Sequence, residues 1–329
     1  MKGAASARAS WLAQRERGSE TLMRLMMAIA LIFGHRAAAL CLYPICAYFV
    51  VFSGRARRAS RDYLRRVTAG NAHRLDTFRH YHCFASTILD RVYLSAGRLG
   101  LFDIEYDGLD LLRAHVAARR GCILLGAHFG SFDVLRAVAI ADPTVDLRIL
   151  MHTGDARKMD NVLRAVDERC RAASRRELRA RGGEHNGKAS VAGSCKRLPD
   201  QIIELGHPGT MLAVRDAIAG GALVALLADR AIVEDRRAEC EFLGAPALFP
   251  EGPFALARVL RAPVILFAAV RCGRQRYRIR FEPFVTGDEP GADCAAFARW
   301  LERNCLDAPL NWFNFYDFWA AGPAERRRQ

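Results

Sequence analysis

The chain has 329 residues, of which 51% are hydrophobic and 26% are charged. This composition excludes a disordered or collagen-like chain and is typical of a packed globular protein with one large or two small domains. The formal net charge is +14, from 49 basic and 35 acidic residues, and only four of the basic residues are Lys. A charge of this size indicates a polyanionic partner: nucleic acid, an anionic membrane or a phosphorylated substrate.

The positive charge is concentrated in two segments. Residues 1–70 carry a net +9 and residues 169–197 a net +7, so the rest of the chain is almost neutral. A nucleic-acid module is expected to spread Arg and aromatic residues over one folded face. The clustering of charge in two segments therefore argues against a nucleic-acid partner. We predict a basic N-terminal tail at 1–20, a flexible basic insertion at 168–200 and a basic C-terminal tail at 321–329.

An apolar stretch lies inside the first basic segment, over residues 21–55. The run Ala37–Phe52 has no charge and the run Leu25–Phe33 is shorter. Neither run alone reaches the ~18–20 residues of a spanning helix. Joined through Gly34-His35-Arg36, they predict either a kinked spanning helix or a helical hairpin in one leaflet, with a buried core hairpin as the alternative. The Arg residues that follow suit a cytoplasmic flank facing anionic lipid.

Beyond this stretch the pattern is first helical and then alternating. Residues 56–99 have the apolar spacing of helices, with a break at Gly70-Asn71. From residue 100, short apolar strands alternate with helices, which predicts an α/β domain over 56–320 with a mainly parallel central sheet flanked by helices. The predicted strands are 121–126, 147–151, 201–205, 222–227, 263–269 and 276–283, and the predicted helices are 131–140, 156–167, 210–219 and 252–260.

The ten Cys residues give no sign of a metal site. They form no Cys-x-x-Cys pair and no Cys/His cluster. Zinc and iron–sulfur sites are therefore disfavoured, and we predict that no residue binds a metal.

The segment after the first buried strand carries the most chemical information. The strand ends at Gly126, His128 lies in the turn, and Ser131 is a natural N-cap that places Asp133 in the first turn of a helix. Ligand sites of parallel α/β sheets lie at this carboxyl edge. A His beside a carboxylate acts as a general base. The alternative is a structural turn His and an Asp that only complements the helix dipole.

Three further segments stand in a fixed order along the chain. They are Leu-Leu-Ala-Asp-Arg at 226–230, the stretch 242–257 followed by Arg-Ala-Pro-Val-Ile at 261–265, and Asn-Trp-Phe-Asn-Phe-Tyr-Asp-Phe-Trp at 311–319. Together with the His-x4-Asp segment, they resemble the blocks of the lysophospholipid acyltransferase superfamily, and in particular the late acyltransferases of lipid A biosynthesis and their bacterial relatives. The resemblance covers residues 20–320 apart from 168–200. We interpret the aromatic residues of the last block as packing or membrane contacts.

The resemblance implies transfer of a fatty acyl group from an acyl carrier protein or CoA thioester to a hydroxyl or amine of a lipid or glycolipid, with no cofactor. His128 would be the base that deprotonates the acceptor, and Asp133 would orient it. The implied substrate-binding residues are Asp229, Arg230, Glu251 and Gly252. The implied location is the inner (cytoplasmic) membrane, with the catalytic domain on the cytoplasmic side.

Two details leave the acceptor open. The first block ends in Ser-Phe-Asp where many lipid A enzymes have Asn-Trp-Glu, and Glu251 is typical of the glycerolipid branch. An acyl-ester hydrolase or thioesterase is one alternative, although the chain lacks the Gly-x-Ser-x-Gly nucleophile elbow. A non-catalytic basic membrane-binding protein is the other.

Overall fold

The computed structural model describes residues 20–95, 98–142, 144–152, 202–230 and 236–319, with side chains from residue 34 onward except at 95, 136–138, 140, 141 and 152. Four predicted features lie wholly or almost wholly outside these ranges: the basic tails at 1–20 and 321–329, the helix at 156–167 and the insertion at 168–200.

The first helix, α1 (Glu20–Phe52), is broken at Gly34, where φ is 82° and ψ is 172°. The predicted kink at Gly34-His35-Arg36 is therefore present. The part from Gly34 to Phe52 has 19 residues and, among the described helices, is the one long and apolar enough to cross a membrane by length and composition. The uncharged run alone was too short for this, and the helix reaches that length because it also includes His35 and Arg36.

Helix α1 packs along α3 (Asp76–Ser95), which follows α2 (Gly54–Val67) after a break that contains Gly70-Asn71, as predicted. Buried residues spaced four apart face the core: Ala38, Leu42 and Cys46. At the start of this face, His35 Nε2 lies 2.6 Å from Asp90 Oδ1 on α3. The hydroxyl of Tyr277 donates to the other oxygen of Asp90 at 2.6 Å, so one buried carboxylate joins α1 and α3 to the sheet.

Seven strands of the described residues form one sheet. They are β1 (Asp103–Asp107), β2 (Cys122–Gly126), β3 (Leu147–His152), β4 (Ile202–Leu205), β5 (Leu223–Leu227), β8 (Val264–Gly273) and β9 (Arg276–Phe284). Their order is β1-β9-β8-β2-β5-β3-β4, and every neighbouring pair is parallel except β8 and β9. The predicted mainly parallel sheet is confirmed. Strands β6 (Arg237–Phe242) and β7 (Ala245–Pro250) form a separate antiparallel hairpin.

Helices cover both faces of this sheet. They include α4 (Leu109–Ala117), α5 (Phe132–Ala141), α6 (Thr210–Ala219), α7 (Gly252–Val259) and α8 (Pro290–Asp307). Every residue of the central strand β2 is buried, as expected for a parallel strand covered on both sides. Its alternate residues enter two cores: Ile123 and Leu125 pack with α8, whereas Leu124 packs with α1 and α3.

Candidate active site

The turn after β2 is pressed against β8 and presents His128 at the carboxyl edge of the sheet. Gly130 has a φ of +67°, and a Cβ at this position would lie 1.8 Å from the carbonyl oxygen of Ala269. The amide of Ser131 donates to the same oxygen at 2.9 Å. Only Gly fits here, because any side chain would have to push the turn off β8. The chain therefore returns tightly, and His128 remains partly exposed.

Asp229 lies against His128 because β5 is the neighbour of β2. Gly126 stands opposite Leu227 in the register, and the amide of Ala228 extends this pairing by donating to Gly126. Asp229 Oδ1 accepts a hydrogen bond from the backbone amide of His128 at 3.1 Å and lies 2.8 Å from His128 Nδ1. A carboxylate at Nδ1 holds the proton of the neutral imidazole there and leaves the basic lone pair on Nε2.

Trp312 holds the other oxygen of this carboxylate. Its indole N–H donates to Asp229 Oδ2 at 3.1 Å, and the Asp229 side chain is only 1% exposed. Burial by itself raises the pKa of Asp229. The charge and hydrogen bond of His128, the charge of Arg230 and the indole N–H outweigh this and hold that pKa below its usual range. Asp229 is therefore ionised at neutral pH.

A short C-terminal segment, residues 311–314, ties these parts together, and we call it the strap. The amide of Phe313 donates to the carbonyl of His128 at 2.8 Å, and the amide of Gly130 donates to the carbonyl of Asn311 at 2.7 Å. The turn that carries His128 is thus bonded to the strap at two backbone groups that directly follow the His128 side chain.

Asp133 lies in the first turn of α5, where it was predicted, and its side chain is buried. It accepts a hydrogen bond from Arg91 Nε on α3, which joins the start of α5 to α3. The carboxylate that the structure places at His128 Nδ1 is Asp229, a contact that the sequence prediction gave to Asp133. The orienting role of Asp133 stays a prediction.

Arg230 lies beside Asp229 and against the strap. It donates to the carbonyl of Phe313 at 2.9 Å, and its guanidinium lies 5.3 Å from the centre of the Tyr316 ring. The site thus combines a base, an ionised carboxylate and a positioned cation. Within the described ranges, no three His, Cys, Asp or Glu side chains converge as metal ligands. This set is suited to removing a proton from a bound nucleophile.

Residues 101–319 match the family model of bacterial lipid A biosynthesis acyltransferases. The chain belongs to this family. It is therefore an acyltransferase of lipid biosynthesis that uses an acyl donor and a lipid acceptor, in a family of membrane-associated proteins. The matched range contains His128, Asp229 and the strap. A search of curated proteins found no match to the chain.

Glu251 and Gly252 of the acyltransferase lie where the β6–β7 hairpin meets α7. The amide of Glu251 donates to the carbonyl of Arg236 at 2.9 Å, and Gly252 is exposed. The contacts seen among the described residues do not connect either of them to His128. Their role in binding the acceptor stays a prediction.

The sequence did not identify two residues of this site, Trp312 and Arg91. Trp312 belongs to the last block, whose aromatic residues are predicted to make packing or membrane contacts, and it does pack, edge to face, against Tyr63, Phe242 and Phe318. Nearby Asn residues, at 311 and 314, are a weak signal for a polar role of this Trp. Its contact with Asp229 cannot be read from the sequence, because only the folded chain brings its N–H to that carboxylate. Arg91 is one Arg among many, and nothing in the sequence distinguished it.

Proposed function

We propose that this acyltransferase moves a fatty acyl group from a thioester of acyl carrier protein or CoA to a hydroxyl or amine of a lipid or glycolipid, with His128 as the general base. The observation that carries the proposal is the pair formed by His128 Nδ1 and Asp229 Oδ1, 2.8 Å apart at the carboxyl edge of the sheet. A buried ionised carboxylate fixes the tautomer of the imidazole and stabilises the imidazolium that forms during reaction.

The reaction needs one base that later acts as an acid. His128 Nε2 takes the proton of the acceptor hydroxyl or amine while that atom attacks the carbonyl carbon of the thioester. The tetrahedral intermediate collapses, the carbon–sulfur bond breaks, and the imidazolium returns the proton to the departing thiolate. Helix α5 begins at Phe132, so its N-terminal end favours the negative charge that develops on the carbonyl oxygen.

The two buried carboxylates take different roles in this mechanism. We assign the orientation of His128 to Asp229, which contacts the ring directly. Asp133, paired with Arg91, holds the first turn of α5 beside the reacting atoms. Arg230 is fixed by the strap and is positioned to attract an anionic group of the donor or acceptor.

We also place the enzyme at the inner (cytoplasmic) membrane, with the domain at 56–320 on the cytoplasmic side. Arg57 donates to the carbonyls of Val50 and Val51 and so covers the C-terminal end of α1. The exposed guanidinium groups of Arg55 and Arg58 follow on α2. An apolar helix that ends in arginines is suited to an anionic lipid surface and gives no support to nucleic acid as a partner.

The test is an acyl-transfer assay with the full chain in neutral detergent. Labelled acyl carrier protein and acyl-CoA thioesters are supplied in separate reactions with a membrane extract, and both acylated lipid and free fatty acid are measured. We expect acylated lipid from at least one donor, and a loss of about 100- to 10,000-fold in turnover for His128→Ala. His207→Ala, at an exposed loop position, should retain wild-type turnover.

Two results would count against the proposal. Equal turnover of the wild type and His128→Ala would remove His128 as the base. Release of free fatty acid with no acylated lipid would identify a hydrolase instead.

A further inference from the structure

A basic cavity of about 370 Å³ lies between α2 and the start of α3. Arg61, Arg65 and Arg74 line it together with His73 and Thr77, and its apolar floor is formed by Leu64 and Ala72. We propose that this cavity binds a phosphate-bearing ligand. The proposal does not depend on the acyl-transfer chemistry, because none of these residues belongs to the candidate active site.

Three guanidinium groups line this cavity, and none of them pairs with a carboxylate in the part of the chain that the structure describes. Arg61 and Arg65 are one turn apart on α2, and Arg74 comes from the α2–α3 loop. Like charges four residues apart on a helix repel each other and destabilise it. Among the ion pairs of the described residues, none includes Arg61, Arg65 or Arg74. A bound anion would convert this repulsion into attraction.

The two carboxylates nearest in sequence are already engaged. Asp62 pairs with Arg66 on α2 at 3.2 Å, and Asp76 pairs with Arg79 on α3 at 3.1 Å. Asp76 also accepts the backbone amide of His73 at 2.7 Å. The cavity therefore keeps an uncompensated positive charge.

Thr77 and the start of α3 add hydrogen-bond donors of a different kind. The Thr77 residue is 3% exposed and lines the cavity, and its hydroxyl makes no hydrogen bond with any described residue. It lies in the first turn of α3, a helix of 20 residues. The first turn of a helix offers unpaired backbone N–H groups and the positive end of the helix dipole, which together favour an anion.

Phosphate fits this arrangement better than a carboxylate does. One Arg fork satisfies both oxygens of a carboxylate, whereas the several oxygens of a phosphate group accept from more than one guanidinium. The apolar floor and the volume leave room for an organic group attached to the phosphate. Helix α2 starts two residues after the apolar helix α1 ends. The ligand is therefore either the headgroup of a phosphorylated lipid or a soluble phosphate compound.

The first experiment measures thermal unfolding of the full chain in neutral detergent, with inorganic phosphate compared with sodium chloride at equal ionic strength. We expect phosphate to raise the Tm by about 2 °C at ten times its dissociation constant. The variant Arg61→Gln/Arg65→Gln/Arg74→Gln should lose this rise. The matched control Arg120→Gln/Arg261→Gln/Arg274→Gln removes the same charge from exposed positions elsewhere and should keep it.

The second experiment identifies the source of the phosphate by flotation with phosphatidylcholine vesicles that contain either phosphatidic acid or phosphatidylglycerol. A preference for phosphatidic acid that the cavity variant loses would assign the site to a lipid headgroup. Loss of the inorganic-phosphate effect alone would assign it to a soluble phosphate compound. Both results support the site.

Either of two results overturns the proposal: a wild-type Tm that does not respond to phosphate, or an equal rise in the Tm of the cavity variant. If the triple variant does not fold, Arg65→Gln alone is measured in the same way. It should bind inorganic phosphate at least tenfold more weakly than the wild type, and unchanged binding would also overturn the proposal.

Discussion

The ring of His128 contacts a carboxylate that lies 101 residues further along the chain, and we propose that this contact sets its basicity and orientation. Asp229 has two oxygens with separate tasks: Oδ1 faces the backbone and the ring of His128, and Oδ2 accepts from the indole of Trp312. Loss of a group that orients a metal-binding His commonly lowers metal affinity or activity by about 10- to 100-fold. We expect Trp312 to position Asp229, and through it His128, with an effect of similar size.

Replacing Trp312 by Phe tests this role, because the ring remains and the N–H donor is removed. The hydrogen bond from Trp312 lowers the pKa of Asp229, so its loss raises that pKa, and Asp229 loses its charge at a higher pH. We expect turnover to fall about 10- to 100-fold. The acid side of the pH profile of kcat/KM should also move to higher pH.

Trp319→Phe is the matched control for this variant. Trp319 packs against Trp312 and donates its N–H to the carbonyl of Phe242 at 3.2 Å. The Trp319→Phe variant should have a lower free energy of unfolding and an unchanged pH profile of kcat/KM. Identical profiles for both variants and the wild type would contradict the role of Trp312.

The sequence singled out His128 and Asp229 but not the contact between them. The prediction that Asp133 orients His128 follows from their spacing of five residues, whereas Asp229 is predicted to bind the substrate. Sequence spacing points only to nearby carboxylates, and it is the register of β2 with β5 that brings Asp229 to the ring. Only knowledge of the strand order, with β5 beside β2, would have shown the contact with Asp229.

Among the elements, α1 is unusual because two of its faces are apolar. The face with Leu42 is buried against α3 and the sheet, and the opposite face exposes Leu40 and Val51. These two residues are eleven apart, which is three helical turns, so they lie on one stripe. An exposed apolar stripe next to a basic helix is suited to lipid contact.

The membrane contact of α1 is tested with Leu40→Glu/Val51→Glu, at side chains that are 65% and 60% exposed. Because charge on this stripe opposes burial in lipid, we expect at least about tenfold less binding to anionic vesicles by flotation. The control is Val259→Glu/Val285→Glu, at positions that are 77% and 90% exposed on other parts of the surface. Equal loss of binding in both variants would show that the stripe has no special role.

The predicted elements were those with a clear apolar pattern. Strands β2, β5 and β8 have long apolar runs, and β9 alternates, with Tyr277, Ile279 and Phe281 buried. Strand β1 reads Asp-Ile-Glu-Tyr-Asp and β6 reads Arg-Ala-Glu-Cys-Glu-Phe. Neither is predicted from the sequence, because an edge strand and a hairpin with one face buried keep charged side chains on the other face, so no apolar run marks them. Helices α4 and α8 were not predicted either.

At the scale of the molecule, the described surface arginines fall into two groups, those paired with carboxylates and those that are not. On the sheet edge formed by β1 and β9, arginines meet carboxylates, as in Arg278 with Glu105 and Arg276 with Asp103. Around α2, three arginines line a cavity and form no ion pair with any described carboxylate. The net +14 comes from residues 1–70 and 169–197, whereas the rest of the chain is almost neutral.

These helices are also bonded to the strap. Burial lowers the pKa of His80 on α3 to about 4, so its ring is neutral at pH 7. Its Nε2 donates to the carbonyl of Trp312 at 2.9 Å, while Nδ1 accepts from the hydroxyl of Ser60 on α2 at 2.8 Å. Hydrogen bonds through the strap thus connect α2 and α3 to the pair formed by His128 and Asp229.

The most direct measurement is the acyl-transfer turnover of Asp229→Asn beside that of Asp133→Asn, each in a protein with wild-type Tm. The pair formed by His128 and Asp229 predicts a loss of about 10³- to 10⁴-fold for Asp229→Asn, because the amide no longer stabilises the imidazolium, and a smaller loss for Asp133→Asn. Wild-type turnover in Asp229→Asn together with an inactive Asp133→Asn would contradict the assignment of Asp229 as the carboxylate that orients His128.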